Sequence, residues 1–521
     1  MMSRQYLPIA ILLLFLGYMP SFVLAQPALL EDRWRSLETP HFVIYSQVSA
    51  GRTERFARNL ETWRRAAAYI ISDSEDLPGA AVENRVFLFK NLESFQVFAL
   101  ANEVAFFYPT PRRNFMAVVF DDEQSLVQAR HHYIHFLIRN FTDLRIPRWY
   151  EEGLSGYLSN LQVNRKRVEL KPYSQQAFEV ATIASREVSL EDLFFDEQAL
   201  GSPRLIQLAN HKSETFLHFL LHAHEEDGFS DRRTQLERYI ELLLAGRSQR
   251  FAFDQAFDGT TAQLDTEFAR YLGESSRGQG ELDIADLVGA GVGADYRAEA
   301  VDFFVLANVL GELAINSGKF KLAESFFAEA IDRGAALPRS YSGLADALRM
   351  QEGIDVSDKT LTNYYRRAIS LAPENPVSFL DYGEYLETVL GDCGLVLSPA
   401  LRASTQDEIE YQFHKAIELA PDSAEANLAM AQLYLLAGND YQEGLVYQVK
   451  ALELLPADTF IMEQTVKYKI ESKEFKEAQR LINELSQPLH FWQEFAWVTD
   501  LRRQLTHKQK GIEYNACEHG V

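Results

Sequence analysis

A short phrase recurs along the C-terminal half of the 521-residue chain: AISLAP at 368–373, AIELAP at 416–421 and ALELLP at 451–456. Prolines punctuate the same region at Pro338, Pro373, Pro421, Pro456 and Pro488, spaced by 35, 48, 35 and 32 residues. A period of about 34 residues suits one helix-turn-helix unit, with each proline marking a helix that cannot continue. The 48-residue interval requires an insertion, and GDCGLVLSPALRASTQ (391–406) has the loop-like composition for it. Within the units, Leu310-Gly311 and Tyr382-Gly383 stand where a first helix packs tightly. Ala323, Phe327 and Ala330 stand where the second helix packs back. One helical pair cannot bury its apolar face alone, whereas a stack of pairs can. Residues 298–490 are therefore expected to form an all-α solenoid of about four to five units, followed by a polar tail at 491–521.

This region resembles the tetratricopeptide repeat family. The resemblance implies a curved surface that takes a protein or peptide partner, without naming one.

The first half has a different pattern. HFVIYS (41–46), RVFLFK (85–90) and NFMAVVF (114–120) are rich in β-branched and aromatic residues and read as strands. GRTERFARNLETWRRAAAYI (51–70) places Phe56, Leu60, Trp63 and Ala67 at helical spacing. Strands interleaved with helices, then helices alone, predict an α+β domain over 27–273. The Gly- and acid-rich stretch 274–297 reads as the linker. Its GAGVG (289–293) lacks the preceding strand and following helix of a phosphate loop. The basic run Asn164-Arg165-Lys166-Arg167 reads as a surface hairpin turn.

Residues 1–25 read as a signal peptide. Arg4 precedes an apolar run from Leu7 to Met19, and Val23-Leu24-Ala25 offers small residues for cleavage. That run is too short for a spanning helix, which needs about 20 apolar residues. The mature chain is expected to begin at Gln26, without a stable membrane span, in the periplasm or outside the cell. The 51 Lys and Arg against 74 Asp and Glu give a net charge of -23. This acidity argues against nucleic acid as partner and against electrostatic docking on anionic lipid. Two cysteines, Cys393 and Cys517, are too few for a cysteine metal cluster. Whether they pair is open.

Seven of the twelve histidines fall in two windows, His131/His132/His135 and His211/His218/His222/His224. Each window holds an HxxxH pair, which puts two imidazoles on one helical face at metal-sharing distance. The second lacks a downstream carboxylate phrase. It reads as an amphipathic helix with Phe216, Leu217, Phe219, Leu220 and Leu221 in the core and His222 and His224 at a solvated end. The first is followed by Pro147 and then Trp149-Tyr150-Glu151-Glu152-Gly153, so that Glu152 can return as a third ligand.

Residues 121–160 resemble the peptidase MA-like gluzincins, which carry HExxH on one helix and a glutamate within W-x-x-E-G on the next. ETPHFVIYS (38–46), AFDQAFDGTTAQLDTEFARYL (252–272) and the repeat array that follows extend the resemblance. It implies an α+β zincin-like domain followed by an all-α tetratricopeptide-repeat solenoid, with zinc held by His131, His135 and Glu152. The chain departs from the family at His132, which stands where the family has its general base. Loss of such a base typically costs about 10²–10⁴-fold in rate. Glu151 is a weak substitute, lying about 100° around the helix from Glu152. Gly156 stands near the place of a second family glutamate, so support for the ligands is expected to be thin.

Three readings of this site follow. A zinc-binding pseudopeptidase that acts as an exported scaffold is favoured. An active envelope metallopeptidase with an unusual base and a metal-free relic are the alternatives. Cell fractionation and amino-terminal sequencing check the export expectation: the mature protein should begin at Gln26 outside the cytoplasm, and an intact Met1 on cytoplasmic protein would refute it.

Overall fold

The computed structural model describes residues 29–72, 82–100, 103–141, 146–164, 167–170, 175–274, 281–282, 295–352, 359–437, 441–485 and 496–514. The signal segment, most of the 274–297 stretch, the middle of the basic run at 165–166, Pro488 and Cys517 lie outside these residues. So do cleavage after Ala25 and the Cys393–Cys517 pairing.

The first elements are β1 (Arg35–Glu38), β2 (Val43–Ser46), α1 (Ala50–Ser72), β3 (Glu83–Phe89), α2 (Leu92–Gln96), β4 (Phe106–Tyr108) and β5 (Arg113–Val119). Helices α3 (Glu123–Phe141) and α4 (Arg148–Ser159) follow, then a hairpin of β6 (Leu161–Asn164) and β7 (Arg167–Leu170). Further helices complete the α+β part: α5 (Gln175–Glu187), α6 (Leu190–Phe195), α7 (Pro203–His222), α8 (Arg233–Leu244), α9 (Gln249–Ala256) and α10 (Thr261–Glu274). Two short strands, β8 (Glu281–Leu282) and β9 (Glu299–Ala300), lie in and just after the stretch read as linker. β8 adds to the hairpin through Val168↔Leu282, so the stretch read as linker contributes a strand to the smaller sheet, and β9, just after it, pairs with β1 of the larger one.

The larger sheet has the order β4-β5-β3-β2-β1-β9. Its β2–β3 and β3–β5 pairings are parallel, and the β4–β5 pairing is antiparallel. The three strands read from the sequence are β2, β3 and β5. Their side chains alternate between two buried faces. Val86, Leu88, Met116 and Val118 point toward α1 and α3. Phe87, Phe89, Phe115 and Ala117 point the other way, against Leu306, Leu310 and Phe326 of the helical repeats. Central strands buried on both sides carry continuous apolar runs, which is why RVFLFK has no polar alternation.

The helical repeats among the described residues form five antiparallel pairs: α11 (Phe303–Asn316) with α12 (Phe320–Asp332), α13 (Pro338–Glu352) with α14 (Thr360–Leu371), α15 (Pro376–Gly391) with α16 (Pro399–Leu419), α17 (Ala424–Ala437) with α18 (Tyr441–Leu454), and α19 (Thr459–Glu471) with α20 (Phe475–Leu485). They are tetratricopeptide-like hairpins. Pro373, Pro421 and Pro456 each follow a helix end by two residues, whereas Pro338 is the first residue of α13. The 391–406 insertion is only partly loop. Ser398 caps α16, which starts at Pro399 and is lengthened to 21 residues. Residues 496–509, expected as polar tail, instead form helix α21, whose Val498, Leu501 and Leu505 bury against α19 and α20. That helix closes the otherwise open apolar end of the stack.

Glycine permits the tight crossings. An ideal Cβ on Gly311 or Gly343 would lie 2.5 or 2.3 Å from Cζ of Phe327, so one aromatic ring fills the gap between two successive first helices. Phe327 is fully buried. Phe327→Ala is expected to destabilise the repeats by about 3–5 kcal/mol, seen as a lower urea midpoint for the far-UV signal. An unchanged midpoint would contradict the packing.

Candidate metal centre

Helix α3 starts where β5 ends. Asp122 Oδ1 accepts from Ser125 N at 3.0 Å, while Ser125 Oγ accepts from Val119 N at 2.8 Å, tying the strand end to the first helical turn. Ala129, Tyr133, Ile134 and Leu137 bury the core face of this helix. His131 and His135, one turn apart, lie beside that face, His131 partly exposed and His135 buried. Helix α4 begins after Pro147, and Trp149 is buried with its ring 4.5 Å from Phe194 and 5.7 Å from Phe216. Gly153 lets α7 approach closely, since a Cβ there would lie 2.8 Å from the Ser213 carbonyl oxygen. These contacts set the rotation of α4 and bring Glu152 beneath the two histidines.

The three predicted ligands converge. His131 Nε2 and His135 Nε2 are 3.2 Å apart. Glu152 Oε2 is 3.4 Å from His131 Nε2 and 3.9 Å from His135 Nε2. A tetrahedral zinc with bonds of about 2.0–2.1 Å separates its ligand atoms by about 3.3 Å, so the triangle has the right size. Two imidazoles and a carboxylate are also a donor set suited to zinc. The side chain of His131 is 20% exposed and that of Glu152 is 1% exposed, so the centre is reached from the His131 side. Among the described residues this is the only group of three or more His, Cys, Asp or Glu side chains that converges in this way.

Glu151 does not face this triangle. Its Oε1 lies 2.9 Å from His135 Nδ1, on the far side of the ring, and accepts from Arg139 Nε at 2.6 Å. Burial pushes its carboxyl up, but the His135 hydrogen bond and the Arg139 charge outweigh burial and hold it at about 2. An ionised acceptor at Nδ1 puts the proton there and leaves the Nε2 lone pair for the metal position. Glu151 thus orients a ligand and is placed wrongly for a base. Arg139 was not anticipated. The available signal was its position one turn after His135, beside the doubled acid of WYEEG.

Gly156 carries no side chain toward the ligands, and the space beside it is taken from α7. A Cβ at Gly156 would lie 2.6 Å from Glu214 Cγ, so a carboxylate side chain from α7 fills that space and accepts from Asn160 Nδ2 at 2.9 Å. The His132 ring is perpendicular to that of His131 with centroids 5.7 Å apart, and it is not one of the converging donors. Burial first, then the charges of His131 and His135, hold its pKa down to about 3, so the ring is neutral at physiological pH.

In the second window His222 is buried, unlike the solvated position expected. Its Nε2 is 2.8 Å from Tyr157 OH and its Nδ1 is 2.8 Å from Glu225 Oε1. His218 Nδ1 is 3.0 Å from Tyr271 OH. These rings tie α7 to α4 and α10. Burial, then the neighbouring His222, holds the His218 pKa down to about 3 against an ordinary 6.5. Between these values the unfolded chain takes up a proton that the native ring refuses, so stability falls as pH drops through that window. His218→Gln should flatten the fall of unfolding free energy, and with it of Tm, between pH 6.5 and 4.5, the free-energy change being on the order of a few kcal/mol. Parallel Tm profiles for variant and parent would contradict this role.

No family model matches the chain. No curated protein matches it in sequence. Among solved structures it is similar to TTC0263, a thermophilic tetratricopeptide-repeat protein of Thermus thermophilus, at 14% identity and TM-score 0.32, covering 40% of this chain and 99% of that one. It is similar to YrrB, described as a tetratricopeptide-repeat protein with an unusual peptide-binding site, at 13% identity and TM-score 0.26, covering 40% and 91%. It is also similar to the human IFIT1 dimer solved with PPP-AAAA, at 12% identity and TM-score 0.27, covering 66% of each chain. Likenesses this distant carry no functional argument.

Proposed function

We propose that the protein is an exported protein-binding scaffold whose α+β part is a zincin-like domain that holds zinc but hydrolyses peptides poorly. The observation that carries this reading is the His131/His135/Glu152 triangle, with zinc-sized edges and a carboxylate-oriented ligand, beside an imidazole where a general base would stand. When bound, zinc would polarise a carbonyl and lower the pKa of its water toward about 7.

The chain's own residues favour holding over cutting. Glu152 would supply a buried carboxylate oxygen, and His131 and His135 would supply ring nitrogens. Glu151 and Arg139 fix the ring of His135. Neither position beside the triangle offers a carboxylate to take a proton on the open side: Glu151 is engaged behind His135, and position 132 is an imidazole. The amino-terminal apolar run supports export, to the periplasm or beyond. No helix among the described residues is long and apolar enough to cross a membrane. The stacked repeats support recruitment of a protein or peptide partner.

Metal content tests the first part. Protein purified without chelators should carry about one zinc per chain, and His131→Ala/His135→Ala should carry none. Glu151→Gln should weaken zinc by about 10–100-fold in competition with a chromophoric chelator. Wild-type protein should leave a broad peptide pool near background, and His132→Glu should raise cleavage by about 10²–10⁴-fold. Cleavage by the wild type that disappears in His131→Ala would instead establish an active metallopeptidase.

A further inference from the structure

The turn between β4 and β5, Pro109 to Arg112, projects from the sheet into the concave side of the repeats. Two hydrogen bonds close it: Thr110 Oγ1 donates to the Arg113 carbonyl at 2.7 Å and accepts from Arg113 N at 3.1 Å. Arg112 reaches Asp381 of α15 at 2.7 Å and grips both oxygens of Glu425 of α17 at 2.7 and 2.8 Å. The concave face thus already receives one arginine, delivered from an extended turn of the same chain.

Beyond Arg112 a cavity of about 700 Å³ continues along the groove. Its lining has seven carboxylates and five cations. Each cation is engaged. Arg113 pairs with Glu312, and Arg339 bridges Glu312, Asp346 and Asp381. Arg349 lies 3.6 Å from Asp346, and Lys467 lies 2.7 Å from Glu463.

Two carboxylates are held only loosely. Glu384 comes no nearer than 4.0 Å to Arg112. Glu387, one turn further along α15, has its Oε1 buried without a hydrogen-bond partner. A buried oxygen left without a partner is costly, and Glu384 and Glu387 also repel one another. Burial first, and neighbouring carboxylates second, push both pKa values up, with Arg112 drawing that of Glu384 and Lys467 that of Glu387 back down, and the Glu384 side chain remains 43% exposed to an incoming cation. Asp381, Glu384 and Glu387 follow at i, i+3 and i+6 on one helical face, so the unfilled pair continues the row that Arg112 begins. The same cavity is lined by Met350, Leu436 and Phe460, which are 50%, 48% and 55% exposed. Acid beside exposed apolar surface selects for a cationic residue flanked by an apolar one.

We propose that this groove binds an extended peptide segment in which arginine or lysine adjoins an apolar residue. The cation seats between Glu384 and Glu387, and the apolar side chain lies on the wall formed by Leu436 and Phe460. The inference rests on the reading of the repeats as a protein-binding array, and supplies the chemistry of the partner.

Fluorescence anisotropy on the full chain tests it, with a labelled oligopeptide of alternating arginine and leucine as probe and one of alternating glutamate and leucine as control. The cationic peptide should bind saturably and more weakly as salt rises, and the acidic one should not bind. Glu384→Gln/Glu387→Gln should weaken binding by about tenfold or more, as expected for losing a charge-assisted pair. The double variant removes mutual repulsion and should fold at least as well as the parent. Phe460→Ala, at an exposed site, provides a second, independent loss. Absence of saturable binding, equal binding of both peptides, or unchanged affinity in the two variants would overturn the proposal. Repeating the titration with a chelator separates it from the metal reading. Binding lost on chelation would place the peptide at the histidine site and overturn the groove. A failed groove with intact zinc content would leave the metal centre standing.

Discussion

The central sheet is apolar on both faces, and the rest of the molecule is arranged around that fact. Val86, Leu88, Met116 and Val118 need a cover on one side, and Phe87, Phe89 and Phe115 need one on the other. Helices α1 and α3 provide the first cover. The first repeats provide the second, with the Phe98 and Phe326 rings stacked at 6.3 Å across the join. The solenoid is therefore a structural layer of the α+β part as well as an array in its own right. Ion pairs reinforce the join: Glu312 takes Arg85 and Arg113 from adjacent strands, while Arg112 enters the concave face. These pairs are largely buried, so their desolvation offsets much of their attraction, and their main effect is to fix orientation.

The same layering positions the candidate centre. Helix α3 cannot turn, because its Tyr133 and Leu137 side lies on the sheet, and this sets His131 and His135 beside that face. Helix α4 cannot turn, because Trp149 is locked in an aromatic cluster and Gly153 abuts α7. Glu151 then spans the two helices, bonded to His135 and Arg139. What results is a preformed donor triangle rather than three flexible side chains, which is the condition for holding a metal without reorganisation.

Much of this was legible in the residues. Proline spacing and the glycines at 311 and 383 mark the repeats because a helical hairpin has a fixed length and its crossing needs a small residue. HxxxH followed by a carboxylate phrase marks the triangle because helical periodicity alone puts i and i+4 together. What was not legible depends on tertiary contact. Glu151 and Glu152 are neighbours in sequence, and only the rotation of α4 decides that one faces the triangle and the other the back of His135. The tail at 496–509 looks polar by composition, yet Val498, Leu501 and Leu505 share a face at helical spacing and cap the stack. His222 looks like a frayed helix end beside acidic residues, but Tyr157 draws it inward. The occupation of the concave face by Arg112 pairs residues roughly 270–310 positions apart, beyond any local pattern.

X-ray absorption at the zinc edge of the loaded protein tests the account most directly, since the account turns on which side chains surround the metal. It predicts two imidazoles and one carboxylate oxygen at about 2.0–2.1 Å with a light atom completing a four-coordinate shell. A third imidazole would place His132 on the metal, and a shell of disordered oxygens without imidazole would mean that the His131/His135/Glu152 triangle does not hold zinc at all.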